Sequence, residues 1–132
     1  MNLFQRGDFS LHSGQTSDYK IDCDALTDKD WETLAYLISR RCNFREVVGI
    51  PQGGIKLELA LRKYVTEGPV LIVDDVLTTG QSFYEASEGF DGDCIGYVVF
   101  ARGKCPPWIS ALFQMEVIDG TQDTGGDSRQ SA

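Results

Sequence analysis

The chain has little of what builds metal centres, membrane spans or nucleic-acid surfaces. Its 132 residues include one histidine, His12, and four cysteines, Cys23, Cys42, Cys94 and Cys105, with no CxxC pair. Zinc needs closely spaced Cys and His ligands, so this spacing argues for reduced thiols in or near a core. No apolar run approaches the ~20 residues of a membrane helix. The opening Met-Asn-Leu-Phe-Gln-Arg-Gly-Asp also lacks the apolar stretch of a signal peptide. A cytoplasmic protein with no membrane partner is expected. Basic residues are outnumbered, 12 Lys and Arg against 20 Asp and Glu, for a net charge of −8. Non-specific nucleic-acid binding rests on clustered Lys and Arg that release counterions, and no such cluster exists, so no nucleic-acid partner is expected. The same acidic field repels anions. A polyphosphate ligand would therefore need a divalent cation with it.

What is present is an ordinary globular composition, 42% hydrophobic, enough for one domain with a modest core. A single domain is expected over residues 1–118. After Ile118 the only apolar residue is Ala132, so the Gly/Asp/Ser-rich stretch 119–132 reads as a disordered polar tail. There are no internal repeats. Residues 9–23 alternate partly around a Ser-Gly turn and read as an antiparallel hairpin. Thr27 and Asp30 resemble a capping box, and Trp31, Leu34, Ala35, Ile38 and Cys42 then share one helical face. Arg40 and Arg41 suit the negative end of that helix, and Asn43 is a plausible stop.

Beyond it the pattern gives a strand over 47–50, a Pro51-Gln-Gly-Gly54 turn and a helix over 55–64. A strand over 70–74, a helix over 81–88 and a strand over 94–100 follow. Then come Pro106-Pro107, a short helix over 108–113 and a fourth strand over 116–118. Strands alternating with helices argue for an α/β fold: an open, mainly parallel sheet flanked by helices, with right-handed crossovers and an N-terminal hairpin. Ligands of such sheets bind outside the carboxyl ends of the strands. Both glycine turns fall there.

The densest signal is Val70-Leu-Ile-Val-Asp-Asp-Val-Leu-Thr-Thr-Gly-Gln-Ser82. An apolar run leads into two adjacent carboxylates, then a small-residue turn, then the start of a helix. Successive backbone N–H groups in a tight turn form a concave anion site. Gly80 permits backbone angles that other residues resist, and the Thr78, Thr79 and Ser82 hydroxyls can donate to phosphate oxygens. Asp74 and Asp75 would repel a phosphate, so their natural partners are ribose hydroxyls, with a hydrated Mg2+ nearby. An acid pair also ends a strand in phospho-acceptor receiver domains. There it ends the first strand and a third acid ends a later one; here the pair ends a middle strand and no third acid follows. A purely structural turn is the remaining alternative.

Residues 70–82 closely resemble the 5-phosphoribosyl 1-pyrophosphate (PRPP) signature of type I phosphoribosyltransferases. Phe9-Ser-Leu-His-Ser-Gly-Gln-Thr-Ser-Asp-Tyr19 resembles the N-terminal motif of the orotate phosphoribosyltransferases. Val48-Gly-Ile-Pro-Gln-Gly-Gly-Ile55 is similar to their pyrophosphate-contacting loop, and Val98-Val-Phe-Ala-Arg-Gly-Lys104 to the strand and loop that carry a substrate-contacting Arg. The match runs in order over most of residues 4–104. The resemblance implies a reduced phosphoribosyltransferase-type fold in which Asp74 and Asp75 hold the ribose hydroxyls and Mg2+. It also implies that Val76, Leu77, Thr78, Thr79, Gly80, Gln81 and Ser82 surround the 5′-phosphate. The backbone of Gln52, Gly53 and Gly54, a place where the family often strains the peptide, would approach the pyrophosphate. Arg102 would reach the base. A homodimer is a further implication, since family members often pair.

The chain departs from that pattern in three places. Relatives carry a strand bearing Arg-Lys and a basic lid between the Gly-Gly turn and the acid pair, whereas here only residues 55–69 separate them. Arg62-Lys63 could be a remnant of that lid or simply the basic last turn of a helix; the helix reading is favoured. His12 stands where relatives usually place a Lys, and a histidine is neutral about half the time or more at pH 7. Lys20 stands where they have an apolar or aromatic residue, and either faces solvent or pairs with a substrate anion. The resemblance implies an orotate phosphoribosyltransferase-like enzyme of pyrimidine nucleotide metabolism, moving a 5-phosphoribosyl group between PRPP and a base with release of pyrophosphate. The alternative is a catalytically impaired PRPP- or nucleotide-binding module that shed the lid.

Overall fold

The chain opens with an antiparallel hairpin, β1 (Phe4–Ser10) and β2 (Thr16–Ile21), whose register shifts between Arg6 and Phe9. The structure, a computed structural model, describes residues 1–10 and 16–115. His12, the expected strand over 116–118 and the expected polar tail lie outside the described residues. A short 3-10 turn, Cys23–Ala25, leads to helix α1 (Asp28–Ser39). Its start is the capping box read from the sequence: the Asp30 N–H donates to Thr27 Oγ1 at 3.2 Å, and the Thr27 N–H to the Asp30 carboxylate at 2.8 Å. Trp31, Leu34, Ala35 and Ile38 are buried on one face, as their spacing requires, and Arg40 takes the C-cap.

Strand β3 (Glu46–Gly49), helix α2 (Ile55–Leu61), β4 (Val70–Leu77), helix α3 (Gln81–Ser87), β5 (Cys94–Ala101) and β6 (Ile109–Gln114) complete the described chain. The last four strands form one parallel sheet in the order β3-β4-β5-β6, and the hairpin is a separate two-stranded sheet. Successive strand residues face opposite sides. Leu71 and Val73 accordingly pack with α1 and α2, and Val70 and Ile72 with Phe83 of α3. All four β4 residues are fully buried. Burying each such side chain contributes about 1.5–3 kcal/mol, so the apolar run leading to the acid pair is firmly held.

Apart from shifted ends, such as the hairpin beginning at Phe4 rather than Phe9, two elements differ from the sequence expectation. Strand β4 continues past Asp74 to Leu77 because β5 stays paired beside it, Val76 opposite Phe100 and Leu77 opposite Ala101. The helix expected over 108–113 is instead strand β6. A six-residue helix gains little on its own, whereas extended backbone here pairs with β5. The Gly96 N–H donates to Trp108 O at 2.9 Å, and Ile109 sits opposite Gly96. The turn that allows this is closed by the Ile109 N–H bonding Pro106 O at 3.0 Å. Residues 102–108 thus form an unusually short parallel crossover, where a dozen or more residues are usual.

Hairpin and sheet meet through the Phe4 ring, edge-on to Phe100 with centroids 5.8 Å apart. Among the described residues no helix is long and apolar enough to cross a membrane.

Gly96 leaves no room for a side chain: a Cβ would lie 2.9 Å from Ile109 Cγ1 and from Phe83 Cδ2. Gly96→Ala is expected to destabilise the chain by about 1–3 kcal/mol through overpacking. Thermal denaturation should show a fall in Tm of roughly 4–8 °C per kcal/mol for a domain of this size. An unchanged Tm would contradict the packing of α3 and β6 over β5.

Candidate functional site

Parallel pairing places the carboxyl ends of β3, β4 and β5 side by side, and the loops that leave them converge. On one flank of β4 the Ile50 N–H donates to Val73 O at 2.9 Å, and the Gly54 N–H turns back to Ile50 O at 2.8 Å. The Pro51–Gln52 peptide in this loop is cis. Gln52 is exposed and Gly54 buried. Gly53 lies directly against the acid pair, since a Cβ there would sit 2.5 Å from Asp75 Cγ. Only a residue without a side chain fits between that loop and the carboxylate.

Asp74 and Asp75 are both half-buried. Each carboxylate accepts from the next backbone N–H: Asp74 Oδ1 from Asp75 at 2.8 Å and Asp75 Oδ1 from Val76 at 2.7 Å. Beyond them Asp74, Val76, Leu77, Thr78, Thr79, Gly80, Gln81, Ser82 and Phe83 enclose a mainly polar cavity of about 260 Å³. Leu77 is buried, and its backbone and that of Val76 belong to β4, so these two form the wall rather than the mouth. Gly80 has φ +87°, the left-handed conformation that glycine adopts without penalty, and this lets the turn pass into α3. The Thr79 hydroxyl accepts the Gln81 N–H at 3.3 Å. The acid pair therefore stands between a glycine-lined loop on one side and a hydroxyl-lined cavity on the other.

On the other flank the Arg102 N–H donates to Leu77 O at 2.8 Å. The Arg102 side chain turns to the hairpin. It donates to Tyr19 O at 3.2 Å and to Ser17 Oγ, and its guanidinium lies 3.9 Å from the Tyr19 ring centroid. The sequence pattern assigned no role to Ser17, and no local signal connects residues 85 positions apart. Lys20 is exposed on β2. Arg62 pairs with Glu58 at 2.6 Å, and Lys63 donates to Glu32 of α1. Both cations are thus used on the surface of the helices, in line with the helix-end reading.

A larger cavity of about 720 Å³, lined by Phe4, Leu34, Phe100, Phe113 and their apolar neighbours, lies between hairpin, α1 and β6. Its one acid, Asp30, is committed to the α1 cap. Cys23, under the acid pair, has its thiol pushed up to about 12 by burial first and then by the charges of Asp75, Asp22, Asp24 and Asp74. It is a neutral packing residue rather than a nucleophile.

Burial first, then a hydrogen bond and the charge from Asp75, push the Asp74 carboxyl up to about 8. In the unfolded chain the same group ionises in the ordinary carboxylate range. Folding therefore becomes less favourable as pH rises between those limits, by up to about 1.4 kcal/mol per pH unit. Asp74→Asn should remove that slope. In urea unfolding the variant should gain on the wild type steadily from about pH 4 to about pH 8. A difference that does not vary with pH would contradict the burial of this carboxyl.

No family model and no curated protein matches the chain. Solved structures do. An orotate phosphoribosyltransferase from Aeropyrum pernix superposes with a TM-score of 0.62 at 25% identity, covering 76% of this chain and 76% of that one. UMP synthase of Leishmania donovani gives a TM-score of 0.67 at 18% identity, covering 86% of this chain but 34% of the larger protein. Orotate phosphoribosyltransferase of Mycobacterium tuberculosis H37Rv gives 0.62 at 16% identity, with 85% and 89% covered. The backbone thus meets the resemblance carried by the motifs: the chain has a reduced type I phosphoribosyltransferase fold of the orotate phosphoribosyltransferase kind.

Proposed function

We propose that the chain binds PRPP with Mg2+ and transfers its 5-phosphoribosyl group to or from a pyrimidine base, with release or uptake of pyrophosphate. The observation that carries this is the position of the acid pair, flanked by the Gly53 loop at Asp75 and by the 260 Å³ cavity at Asp74. A ribose held through its hydroxyls by Asp74 and Asp75 would extend its 5′-phosphate toward Thr78–Ser82 and its pyrophosphate toward Gln52, Gly53 and Gly54.

Mg2+ commonly binds through one or two carboxylates together with substrate oxygens and water. Two adjacent carboxylates fit that mode, and among the described residues no cluster of three ligating side chains offers a resident site. The ion would arrive with the ligand, and when bound it would offset the charge of the leaving pyrophosphate. Asp74, whose pKa burial raises, would ionise on meeting it. In the transition state positive charge builds on the ribose, and two carboxylates beside it stabilise that charge in a site of reduced dielectric. Arg102 keeps N–H groups beyond those given to Ser17 and Tyr19, and these would meet a base carboxylate.

A second reading, binding without turnover, is favoured by one specific feature. The segment between β3 and β4 is used up by α2, a 3-10 turn at Arg62–Tyr64 and the approach to Val70. Of its three basic residues Arg62 and Lys63 are engaged elsewhere, which leaves Lys56, exposed in the first turn of α2, as the one cation this segment has close in sequence to the Gly53 loop. Losing one such donor costs roughly 10²–10³ in rate.

Calorimetric titration with PRPP and Mg2+ should give saturable binding. Asp74→Asn combined with Asp75→Asn should weaken it by at least about tenfold, or about 1.4 kcal/mol. A panel of bases assayed on the same sample separates the two readings. Turnover with a carboxylated pyrimidine supports the transferase, and binding without turnover supports the sensor. No binding by the wild type would overturn both.

A further inference from the structure

The α2 helix has an acid within its inward, otherwise apolar face: Glu58, between Leu57 and Leu61, both fully buried. Its side chain is only 15% exposed, whereas its partner Arg62 is 63% exposed. A carboxylate rarely goes under a helix unless something there needs it.

The need arises from the sheet. Strand β3 is an edge, with β4 as its only neighbour. In a parallel ladder alternate N–H groups of an edge strand face away from the sheet. The Ile50 N–H points inward, to Val73 O, so that of Gly49 points outward. Gly49 is buried, and solvent cannot serve it. Glu58 Oε1 accepts that N–H at 2.7 Å. The Glu58 backbone N–H in turn donates to Gly54 O at 2.9 Å. One residue therefore grips the loop at both ends, through its carboxylate where the chain leaves β3 and through its backbone where the chain enters α2. Arg62 Nη2, 2.6 Å from Glu58 Oε2, holds the carboxylate in place and offsets its charge beside a loop expected to receive an anion.

We infer that Glu58 is a positioning residue that sets the loop 50–54 for pyrophosphate, a role that rests on the phosphoribosyl reading above. Space around the loop is already minimal: a Cβ on Gly49 would lie 2.6 Å from the Gly54 carbonyl carbon and 3.1 Å from Glu58 Cβ. A small shift at Gly49 is therefore transmitted to Gly54 and the loop that ends there. The charge on Glu58 makes its hydrogen bond stronger than a neutral one, but the geometry needs only an acceptor at that point. Glu58→Gln keeps an oxygen acceptor and Glu58→Ala does not.

The test compares two probes on the full chain. Magnesium pyrophosphate reports the loop, and ribose 5-phosphate reports the acid pair and the Thr78–Ser82 cavity. Glu58→Ala is expected to weaken magnesium pyrophosphate binding by about tenfold or more while changing ribose 5-phosphate binding by less than about twofold. Glu58→Gln is expected to restore most of the loss. Equal losses for both probes, no loss, or a Gln variant as impaired as the Ala variant would each overturn the role of Glu58. A wild-type chain that binds neither probe would overturn the phosphoribosyl reading itself. Amide exchange of the wild type covers the case of an unfolded Ala variant. The Gly49 amide should exchange as slowly as that of Ile50, and exchange at the rate of an open loop would overturn the inference.

Discussion

Strand β4 carries a loop on each flank through one backbone hydrogen bond per side, Ile50 N–H to Val73 O and Arg102 N–H to Leu77 O. These two bonds fix where both neighbouring loops leave the sheet relative to the acid pair. They hold because β4 itself cannot slide. Its residues 70–73 are buried on both faces between α1 and α2 on one side and α3 on the other. A slip of one residue would exchange the two faces and set Asp74 and Asp75 against the wrong loops. Core packing far from the ligand is thus what gives the site its geometry.

That rigidity lets the chain tolerate an electrostatically unfavourable arrangement. Two adjacent carboxylates sit half-buried beside the Gly53 loop in a chain of net charge −8, an arrangement that suits the proposed ligand, which would bring its own cation and hydroxyl donors. Burial and the neighbouring acid raise the pKa of Asp74. Sites that pull a group away from its ordinary ionisation are often the functional ones. The loop architecture supplies small residues where close approach is needed. Gly53 touches Asp75, and Gly103 packs on the carbonyl of Thr78, so the loop after β5 closes over the loop after β4.

Much of this was legible in the sequence because the signals were local. The capping box at Thr27, the helical face of Trp31, Leu34, Ala35 and Ile38, and the run from Val70 into two acids each lie within a dozen residues. The convergence of Gln52–Gly54 with Asp74–Ser82 followed from the parallel α/β order, which sends both turns to the same edge. What escaped was non-local. Residues 109–114 form a strand because β5 offers a free edge, a fact invisible in Ile-Ser-Ala-Leu-Phe-Gln itself. The engagement of Arg102 by Ser17 and Tyr19 joins segments far apart in the chain. Glu58 could have been flagged as an acid on an apolar helical face, but its partner, a backbone N–H of an edge strand, appears only once the sheet is assembled.

The central claim is that a phosphoribosyl ligand lies across the acid pair with an anion site on either side. Amide chemical shifts followed by NMR during titration with PRPP and Mg2+ test it most directly. The account predicts that shifts concentrate in two stretches at once, Gln52–Gly54 and Asp75–Ser82, with a smaller response at Arg102. Shifts confined to one stretch, or centred on the apolar groove around Phe4 and Phe113, would contradict it.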